Sequence, residues 1–381
     1  MRIVHVSDCY LPRLGGIEQQ VHDLALRQQA RGDEVRIVTS VPGPDLLNDL
    51  PVSRPSNARS SERPLIRYDW TFRGRREVLA GDFDVVHAHV SAASPLAFFT
   101  AAAAARAGIP TALTVHSLWT NLTSVFRSVD LAVQLRRAPV AWSAVSDIAA
   151  GSVRQVLGPS LPVGIVPNGV DAAEWRNTPL PRSPDRVTLA TVGRLAARKR
   201  PRHLVSMLRE VRARVPAQVA LAAVIVGEGP QRRILQHSLD ESGAGSWIHL
   251  AGKADHKQIR RIYESTDFYV APATLESFGI AALEARCAGL PVVARRSSGI
   301  AEFITHDVEG LLVDDDEAMI DAMVRLATSP STLDRLSRHN LSTAPAVTWP
   351  LVLSRCDDLY AQARSNQFPP SRTPESGSSG R

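Results

Sequence analysis

Short apolar runs alternate with longer segments of helical periodicity along nearly the whole chain. Runs that are apolar at almost every position are typical of strands buried on both faces. Strands separated by helices predict right-handed β-α-β crossovers and parallel sheets, so we predict an α/β fold. The predicted strands are Arg2–Ser7, Glu34–Thr39, Asp84–His89, Thr111–His116, Ala141–Ser146 and Val163–Val166 in the first half, and Val187–Val192, Val219–Val226, Trp247–Leu250, Phe268–Ala271, Pro291–Ala294 and Gly310–Val313 in the second.

The two series of strands predict two doubly wound, Rossmann-like domains, because 381 residues exceed what one core usually supports. Proline and serine between Asp171 and Arg186 interrupt regular structure and predict the domain boundary. Open α/β sheets bind ligands beyond the carboxyl ends of their strands, so we expect a site in a cleft between the domains. The predicted parts are an N-terminal domain at 1–171, a loop at 45–64, a C-terminal domain at 172–349, a helical segment at 350–366 and a disordered tail at 367–381.

Composition narrows the class of protein. With 44% hydrophobic and 22% charged residues the chain resembles a soluble globular protein, and its longest apolar stretch, Pro95–Ala105, is far shorter than the ~20 residues of a membrane span. No secretory signal follows Met1, and the three widely separated cysteines have no metal-ligand or disulfide spacing, so we expect a reducing, cytoplasmic location. The net charge of +6 favours partners that carry phosphate, including anionic lipid surfaces.

The first predicted strand leads into Gly15 and Gly16, after which a helix begins. Glycine at a strand-to-helix turn lets backbone N–H groups approach a phosphate, although an ordinary tight turn is an equal alternative. The spacing is not that of a dinucleotide fingerprint, and the second strand ends in Thr39-Ser40 without an acidic residue. These features argue against a nicotinamide-dependent dehydrogenase.

The first strand of the second domain ends at Gly193, so Arg194 and Lys199 emerge at the carboxyl edge of the predicted sheet. Two cations there can grip both phosphates of a diphosphate, and arginine can do so in a bidentate manner. A solvated basic surface is the ordinary alternative. The scarcity of lysine, with Lys199, Lys253 and Lys257 only, favours a function for Lys199.

Two glutamates flank the sharpest motif, Glu276-Ser277-Phe278-Gly279-Ile280, which continues to Glu284. We expect Glu276 in a loop before a helix and Glu284 about two turns into that helix. Eight residues of helical rise would separate the carboxylates by roughly 12 Å, close to the distance from a hexose to a ribose across a diphosphate. Backbone N–H groups of Phe278, Gly279 and Ile280 would face the phosphates, although this spacing of glutamates also arises by chance.

Three histidines also lie at predicted strand ends. His116 closes the strand Thr111–His116, and His87 and His89 lie in the strand before it. Histidine at such a position is more often a turn residue than a catalytic one, so the residues alone assign no role to any of the three.

Together these motifs resemble the large retaining glycosyltransferase family 4 (GT4), which has the GT-B fold. The resemblance covers nearly the whole chain, and the order of the motifs makes it specific. Arg200 departs from the pattern, because the family commonly has glycine after the lysine. The motifs are Gly15-Gly16, His116, Val166-Pro167-Asn168-Gly169-Val170-Asp171, Gly193-Arg194, Lys199, Val226-Gly227-Glu228-Gly229-Pro230 and Glu276 to Glu284.

The resemblance implies two Rossmann-like domains around a cleft, with the first domain binding the acceptor, the second the donor, and the C-terminal helix crossing back to the first domain. Arg194 and Lys199 would then neutralise the donor diphosphate, Glu276 would bind donor-sugar hydroxyls and Glu284 the ribose hydroxyls. Gly16 would lie against the distal phosphate or the acceptor. His116 would contact the donor sugar near the anomeric centre. The remaining implied donor-binding residues are Gly15, Asn168, Gly193, Ser277, Phe278, Gly279 and Ile280.

The resemblance further implies transfer of a hexosyl group from a nucleoside-diphosphate sugar, of GDP-mannose or UDP-glucose type, to a hydroxyl of a glycolipid, polysaccharide or small molecule. Two cations at the leaving group replace a divalent ion, so we expect no metal and no other cofactor. A phosphorylase, a nucleotide-sugar epimerase and a non-catalytic nucleotide-sugar sensor remain alternatives. We expect no nucleic-acid partner, and the sequence leaves the oligomeric state open.

A basic segment near Trp70 and Phe72 suggests a peripheral contact with the anionic inner face of the plasma membrane, where a lipid-linked acceptor would be presented. A solvated face, with Glu62, Asp69 and Glu77 interleaved, is at least as good an interpretation. The basic segment consists of Arg63, Arg67, Arg73, Arg75 and Arg76.

Overall fold

The protein is described from a computed structural model that covers residues 1–13, 15–55, 67–120, 123–176 and 185–367. The chain divides into two compact units. The first unit consists of residues 1–144, 153–166 and 353–367, and the second of residues 145–152 and 167–352.

The described part of the first unit contains an eight-stranded sheet in the order β3-β4-β2-β1-β5-β6-β7-β8. Its strands pair in parallel except for β3 and β4, which are antiparallel. The strands are β1 Arg2–Ser7, β2 Glu34–Thr39, β3 Leu46–Leu47, β4 Leu50–Ser53, β5 Val85–Val90, β6 Thr111–Val115, β7 Val140–Ala144 and β8 Val163–Ile165. The helices are α1 Gly16–Ala30, α2 Arg67–Ala80, α3 Pro95–Arg106 and α4 Thr123–Val133, with parts of α5 Asp147–Leu157 and α13 Trp349–Gln367.

The second unit contains a wholly parallel six-stranded sheet in the order β11-β10-β9-β12-β13-β14. Its strands are β9 Arg186–Val192, β10 Ala220–Val226, β11 Ile248–Gly252, β12 Phe268–Ala271, β13 Val292–Arg295 and β14 Gly310–Val313. Its helices are α6 Ala172–Trp175, α7 Pro201–Arg214, α8 Arg232–Glu241, α9 His256–Glu264, α10 Ile280–Cys287, α11 Asp316–Thr328 and α12 Pro330–Ser342, together with the remaining residues of α5 and α13.

All twelve predicted strands are present, and their ends shift by at most two residues. Both sheets reverse their strand order beside the first strand of the unit, between β1 and β5 in one and between β9 and β12 in the other. In a doubly wound sheet this reversal opens a crevice at the carboxyl ends of the two strands, where ligands bind. The predicted α/β class with two Rossmann-like sheets is confirmed.

The expected loop at 45–64 is wrong for its first part. Strands β3 and β4 occupy it, and β4 extends the sheet because Leu50 and Val52 are buried against Val35 and Ile37 of β2. Proline at position 51 is tolerated because β4 lies near the edge of the sheet. Residues 56–66 of this segment lie outside the described residues.

The C-terminal helix α13 is two residues longer than the predicted segment 350–366, since it begins at Trp349 and ends at Gln367. Gln367, expected to open the tail, is helical and donates its side-chain amide to the Ala105 carbonyl at 2.7 Å. The rest of the predicted tail, 368–381, and residues 177–184 of the predicted boundary lie outside the described residues. Within the described ranges, no helix combines the length and the apolar character that crossing a bilayer requires.

Candidate functional site

The site residues predicted in the second unit lie on the loops that follow β9 and β12, the two strands at which this sheet reverses its order. Gly193 and Arg194 come directly after β9, and Glu276 lies in the loop between β12 and α10. The carboxyl ends of parallel neighbouring strands meet at one edge of a sheet. The fold therefore brings the predicted cations and carboxylates to the same edge.

The loop after β9 is held by the glycine-containing loop after β10. The Gly193 amide donates to the Val226 carbonyl at 3.0 Å, and the Leu195 amide donates to the Glu228 carbonyl at 2.9 Å. A Cβ at Gly227 would lie 1.9 Å from the Gly193 carbonyl oxygen, so no other residue fits there. The Gly227-Glu228-Gly229 motif thus lets the backbone of the loop after β10 pack directly against the backbone of the loop after β9, which carries Arg194 and Lys199.

Lys199 ends a short 3-10 helix, and Arg200 after it has a φ of 54° in the left-handed region. Left-handed backbone is costly for a residue with a Cβ, whereas glycine would adopt it without that cost. The guanidinium of Arg200 is paired in a bidentate manner with Asp316, at 2.7 and 2.6 Å. Arg295 contacts the same carboxylate. These ion pairs offset part of the backbone cost and keep the turn that carries Lys199.

The ammonium of Lys199 forms an ion pair with the Glu276 carboxylate. Both side chains are largely covered, with about a quarter of the Lys199 side chain and an eighth of the Glu276 side chain exposed (26% and 12%). A pair in this partly buried setting is screened less by salt than a surface pair. The structure therefore places one fixed cation and one fixed carboxylate together at the sheet edge.

The loop that carries Glu276 is fixed by backbone contacts. The Gly299 amide donates to the Glu276 carbonyl at 2.9 Å, and the Ser146 hydroxyl donates to the Ser277 carbonyl. A Cβ at Gly299 would lie 2.2 Å from that same Ser277 carbonyl oxygen. Ser277 thus contributes its backbone to positioning the loop.

Helix α10 begins immediately after Gly279, whose φ of 90° lies in the left-handed region. The first N–H groups of an α-helix have no acceptor within the helix and carry a partial positive charge, so Gly279, Ile280 and the next residue offer donors to an anion. The Phe278 ring is buried and packs against the Phe303 ring, with centroids 5.2 Å apart. Phe278 therefore acts through packing and the backbone, and its ring is not at the surface of the site.

Glu284 is buried on α10, one turn from the start of the helix. The expectation of two turns was wrong, because the residues from Glu276 to Gly279 form a loop that is not helical. The estimate of roughly 12 Å, which assumed helical rise throughout, does not apply to this segment.

Tyr269 on β12 lies between the elements that carry the predicted residues, and it was missed from the sequence. Its hydroxyl donates to the Val192 carbonyl at 3.1 Å, at the end of β9. Burial raises the pKa of Tyr269 above its usual value, and the carboxylates of Glu276 and Glu284 raise it further. The Tyr269 hydroxyl thus ties β12 to the end of β9. A buried tyrosine on a strand has no pattern that would mark it in the sequence.

Arg194 and Asn168 differ from the paired residues. Arg194 is exposed on the loop after β9, and no described residue forms a salt bridge with it. Asn168 is buried, and the adjacent Gly169 is packed so closely that a Cβ would lie 2.5 Å from the Trp349 ring. Asp171 caps α6 by accepting from the amides of the helix start. The Asn-Gly-Val-Asp motif is therefore at least in part a packing motif.

The predicted residues of the first unit lie beyond the carboxyl ends of its strands: the Gly-Gly turn follows β1, at the order reversal, and His116 follows β6, one strand beyond it. Gly15 is extended and precedes α1, which begins at Gly16, and a Cβ at Gly15 would lie 2.3 Å from the Glu18 carboxylate. Arg13 pairs with that carboxylate at 3.0 Å. His116 follows β6, with its Nε2 atom 3.1 Å from Nδ1 of His89. The Gly-Gly turn therefore carries a charged pair that the sequence did not single out.

Comparisons with known proteins agree with this geometry. The family model described as Glycosyl transferases group 1 matches residues 174–342, and the model described as Glycosyltransferase Family 4 matches residues 14–174. The chain is 28% identical over 387 residues to a phosphatidylinositol N-acetylglucosaminyltransferase subunit from Homo sapiens, covering 94% of this chain and 75% of that protein. It is 27% identical over 345 residues to the GDP-mannose-dependent alpha-(1-6)-phosphatidylinositol monomannoside mannosyltransferase of Mycobacterium tuberculosis, covering 82% and 85%. The crystal structure of Anabaena HepE in complex with UDP and glucose superposes with a TM-score of 0.76 at 17% identity, covering 95% and 99%.

The likeness to HepE shows the GT-B fold, and the two family models define a glycosyltransferase. The two matched segments run together from residue 14 to residue 342, which is most of the chain. The chain belongs to glycosyltransferase family 4, and it is an enzyme that transfers a hexosyl group. The predicted family, fold class and enzyme class are confirmed.

Proposed function

We propose that the protein takes its hexosyl group from a nucleoside-diphosphate sugar, of GDP-mannose or UDP-glucose type, and transfers it with retention to a hydroxyl of a lipid-linked acceptor. The observation that carries this proposal is the Lys199–Glu276 ion pair at the order reversal of the second sheet. The relatives named for phosphatidylinositol-type acceptors support the choice of a lipid-linked acceptor.

In the proposed complex, Lys199 and Arg194 bind the diphosphate, and the N–H groups at the start of α10 donate to the same oxygens. Glu276 accepts from hydroxyls of the sugar while it continues to orient Lys199. Glu284, buried on α10, accepts from the ribose hydroxyls. Each proposed role uses a charge or donor on the loops after β9 and β12 or on helix α10.

The bond from the anomeric carbon to the diphosphate oxygen breaks as negative charge develops on the leaving phosphate and positive charge on the sugar ring. Lys199 and Arg194 stabilise the developing negative charge. The acceptor oxygen attacks from the face that the leaving group departs, and its proton passes to the departing phosphate oxygen. We propose that these two cations suffice and that turnover needs no divalent metal.

A panel of nucleotide-sugars in a thermal-shift assay tests the donor, because a ligand that binds the native state raises Tm by mass action. We expect one nucleoside-diphosphate sugar to raise Tm selectively, and Lys199→Ala to reduce the shift. Release of nucleoside diphosphate should require an acceptor and persist in EDTA. Release of free sugar epimer without acceptor would instead identify an epimerase, and loss of turnover in EDTA would refute metal independence.

We propose that α2 brings the enzyme to an anionic, cytoplasm-facing membrane surface. Phe72 is one of the exposed large apolar residues, and the guanidinium of Arg75 lies 5.4 Å from its ring centre. Arg73 and Arg76 are exposed on the same helix. Glu77, one of the interleaved acids, is turned toward β4, where it accepts from the Ser53 hydroxyl. The remaining residues of this segment lie outside the described part of the structure. They are Glu62, Arg63 and the side chains of Arg67, Asp69 and Trp70.

Co-sedimentation with phosphatidylserine vesicles tests this proposal. We expect salt-sensitive binding that Phe72→Ser weakens severalfold, because an apolar residue and basic neighbours act together at an anionic surface. Ile234→Ser is the matched control, since Ile234 is also exposed but lies on α8 of the second unit. Equal losses in both variants, or binding that salt does not affect, would refute a role for α2.

A further inference from the structure

A chain of hydrogen-bonded polar side chains runs through the interior of the first unit. Its members come from β1, β5, β6 and β7, from the end of β6, and from helices α1 and α13. Apart from His116, they are buried. Polar groups in a core persist where each is hydrogen-bonded, so the arrangement can be followed bond by bond.

The first half of this hydrogen-bond chain begins at His116. Its Nε2 atom lies 3.1 Å from Nδ1 of His89, and Nε2 of His89 lies 2.9 Å from Nδ1 of His5. Nε2 of His5 lies 2.6 Å from the side-chain oxygen of Gln28 on α1. Three histidine rings are thus linked in series to one amide.

The second half passes through the C-terminal helix. The side-chain amide of Gln28 donates to the hydroxyl of Tyr360 at 2.9 Å, and that hydroxyl lies 2.9 Å from Nδ1 of His87. Nε2 of His87 lies 2.7 Å from the Thr114 hydroxyl. Tyr360 therefore joins the two halves, although it is 273 residues from His87 in the sequence.

The far end of the hydrogen-bond chain, at Ser143, determines the donor and the acceptor in every hydrogen bond along it. The Ser143 hydroxyl donates to the Leu113 backbone carbonyl at 3.2 Å, and the Thr114 hydroxyl lies 2.7 Å from the Ser143 oxygen. A carbonyl can only accept, and a hydroxyl has a single hydrogen to donate. Ser143 must therefore accept from Thr114, and Thr114 must accept from the Nε2–H of His87.

The direction of the remaining hydrogen bonds follows from the histidine rings. A neutral imidazole has one N–H and one acceptor nitrogen, so Nδ1 of His87 accepts from Tyr360, and Tyr360 accepts from the Gln28 amide. The Gln28 oxygen then accepts from the Nε2–H of His5. Nδ1 of His5 accepts from His89, and Nδ1 of His89 accepts from His116. All four histidines carry their proton on Nε2.

Burial supports the neutral state of the rings on which this reasoning depends. It lowers the pKa of His5 to about 4 and the pKa of His87 and His89 well below the usual value. Neighbouring histidines lower the pKa of His87 and His89 further, while Gln28 and the charge of Asp33 raise the pKa of His5 without overcoming burial.

We propose that this hydrogen-bond chain holds His116 as the neutral tautomer with its proton on Nε2, and that His89, His5, Gln28 and Tyr360 are positioning residues for His116. A group that bonds to Nδ1 of His116 must then be a donor, such as a sugar hydroxyl. The effect on catalysis rests on the proposed function, in which His116 contacts the donor sugar. The tautomer itself does not.

A metal site is the competing interpretation of the same rings. One nitrogen from each of His5, His87 and His89 lies within 4.8 Å of the others. However, both nitrogens of each of these rings already take part in the hydrogen bonds described above. A cation bound there would have to replace some of these hydrogen bonds, so metal binding and the proposed tautomers exclude each other.

Selective 15N labelling of histidine and long-range 1H–15N spectra at neutral pH test the tautomers in the intact protein, with His→Gln variants for assignment. We expect His5, His87, His89 and His116 all to be neutral with the proton on Nε2. A proton on Nδ1 of His116, a charged ring in the chain, or a stoichiometric metal in the purified protein would overturn the proposal.

Gln28→Glu tests the coupling at a distance. The carboxylate has no N–H and stabilises a proton on His5, whose Nδ1–H then donates toward His89 and reverses both remaining bonds. We expect His89 and His116 to change to the Nδ1–H tautomer, and kcat to fall about tenfold or more, because the wrong tautomer of a functional histidine lowers turnover. KM for the donor should change less than kcat.

Gln29→Glu is the control. It adds the same charge at the next position of α1, where the side chain takes no part in the hydrogen-bond chain, and should leave the His116 tautomer and kcat unchanged. An unchanged His116 tautomer in Gln28→Glu would overturn the coupling. A changed tautomer with full kcat would overturn the positioning role. If the wild-type protein transferred no sugar from any donor, the proposed function would fail, while the spectra would still decide the tautomers.

Discussion

The two sheets reverse their strand order in the same way but carry opposite kinds of polar group beside the reversal. In the second unit, charged side chains lie on the loops beyond the strands, as the largely covered Lys199–Glu276 pair shows. In the first unit, neutral side chains such as His5 and His89 fill the interior below the strand ends. One topology thus accommodates exposed charge and buried neutral polarity.

Solvation explains the difference. Burying an unpaired charge costs several kcal/mol or more, so cations that meet a ligand stay at the rim, where water solvates them. A neutral imidazole or hydroxyl can be buried at little net cost if each of its donors and acceptors is bonded. In this protein the charged pair therefore lies on the loops at the edge of a sheet, whereas the polar groups in the interior of the first unit are neutral and hydrogen-bonded.

The largest expected effect comes from removing the fixed cation of the second unit. Lys199→Ala should lower kcat by about 10²–10³ or more, because the proposed role of the cation is to stabilise the negative charge that grows on the diphosphate in the transition state. Steady-state kinetics with saturating donor measures the loss. Arg198→Ala, an exposed neighbour in the same 3-10 turn, is the control and should retain activity. Near-normal turnover in both Lys199→Ala and Arg194→Ala would contradict the roles of the cations.

A second prediction tests whether the interior of the first unit is neutral. The folded-state pKa of His5, about 4, lies below its unfolded value near 6.5, so the unfolded state binds more protons as the pH falls. Stability should therefore be complete above pH 6.5 and decrease progressively toward pH 4, by about 3 kcal/mol for His5 alone. Urea unfolding at pH 7.5, 6 and 5 measures this slope.

His5→Asn should reduce the pH slope, whereas His237→Asn should not, because His237 is exposed and pairs only with Glu241 of its own helix among the described residues. A slope that is identical in wild type and His5→Asn would show that the buried rings do not control the acid stability.

Glu284→Ala tests the second carboxylate of the charged region and should have an intermediate effect. If Glu284 accepts from the ribose hydroxyls as proposed, its loss should weaken donor binding by about tenfold, close to 1.4 kcal/mol, with a smaller change in kcat. Isothermal titration with the donor measures the affinity, and Glu241→Ala serves as an exposed control. An effect on kcat alone would assign Glu284 to the reacting centre instead of the ribose.

The smallest expected effect is a difference in stability between two variants of Arg200, which distinguishes backbone strain from the loss of the ion pair. Arg200→Gly and Arg200→Ala both remove the bidentate contact with Asp316, but only glycine relieves the left-handed φ of 54°. Arg200→Gly should be more stable than Arg200→Ala by about 1 kcal/mol in chemical unfolding. Equal stabilities would mean that the turn reorganises in the variants and that the backbone is not strained.

Much of the fold was predictable because each buried strand marks itself by a local run of apolar residues. Strand β12 and its neighbour β9 were located this way, and Glu276 was placed in a loop because it follows such a run. Strand β4 was missed because Pro51 and the polar residues around it weaken the pattern, although Leu50 and Val52 are buried. Glu284 was placed one turn too far along α10, because the helix start depends on the backbone at Gly279.

The amino-acid sequence by itself determined the α/β class, the strands and the kinds of side chain that stand at their ends. Only the tertiary structure decided which of those side chains meet: Lys199 and Glu276 are 77 residues apart, and Tyr360 joins His87 across 273 residues. The physical reason is that apolar periodicity depends on neighbours within a few residues, whereas such pairings depend on strand order and on the return of α13. The direction of the buried hydrogen bonds depends on one more tertiary contact, the Leu113 carbonyl that can only accept.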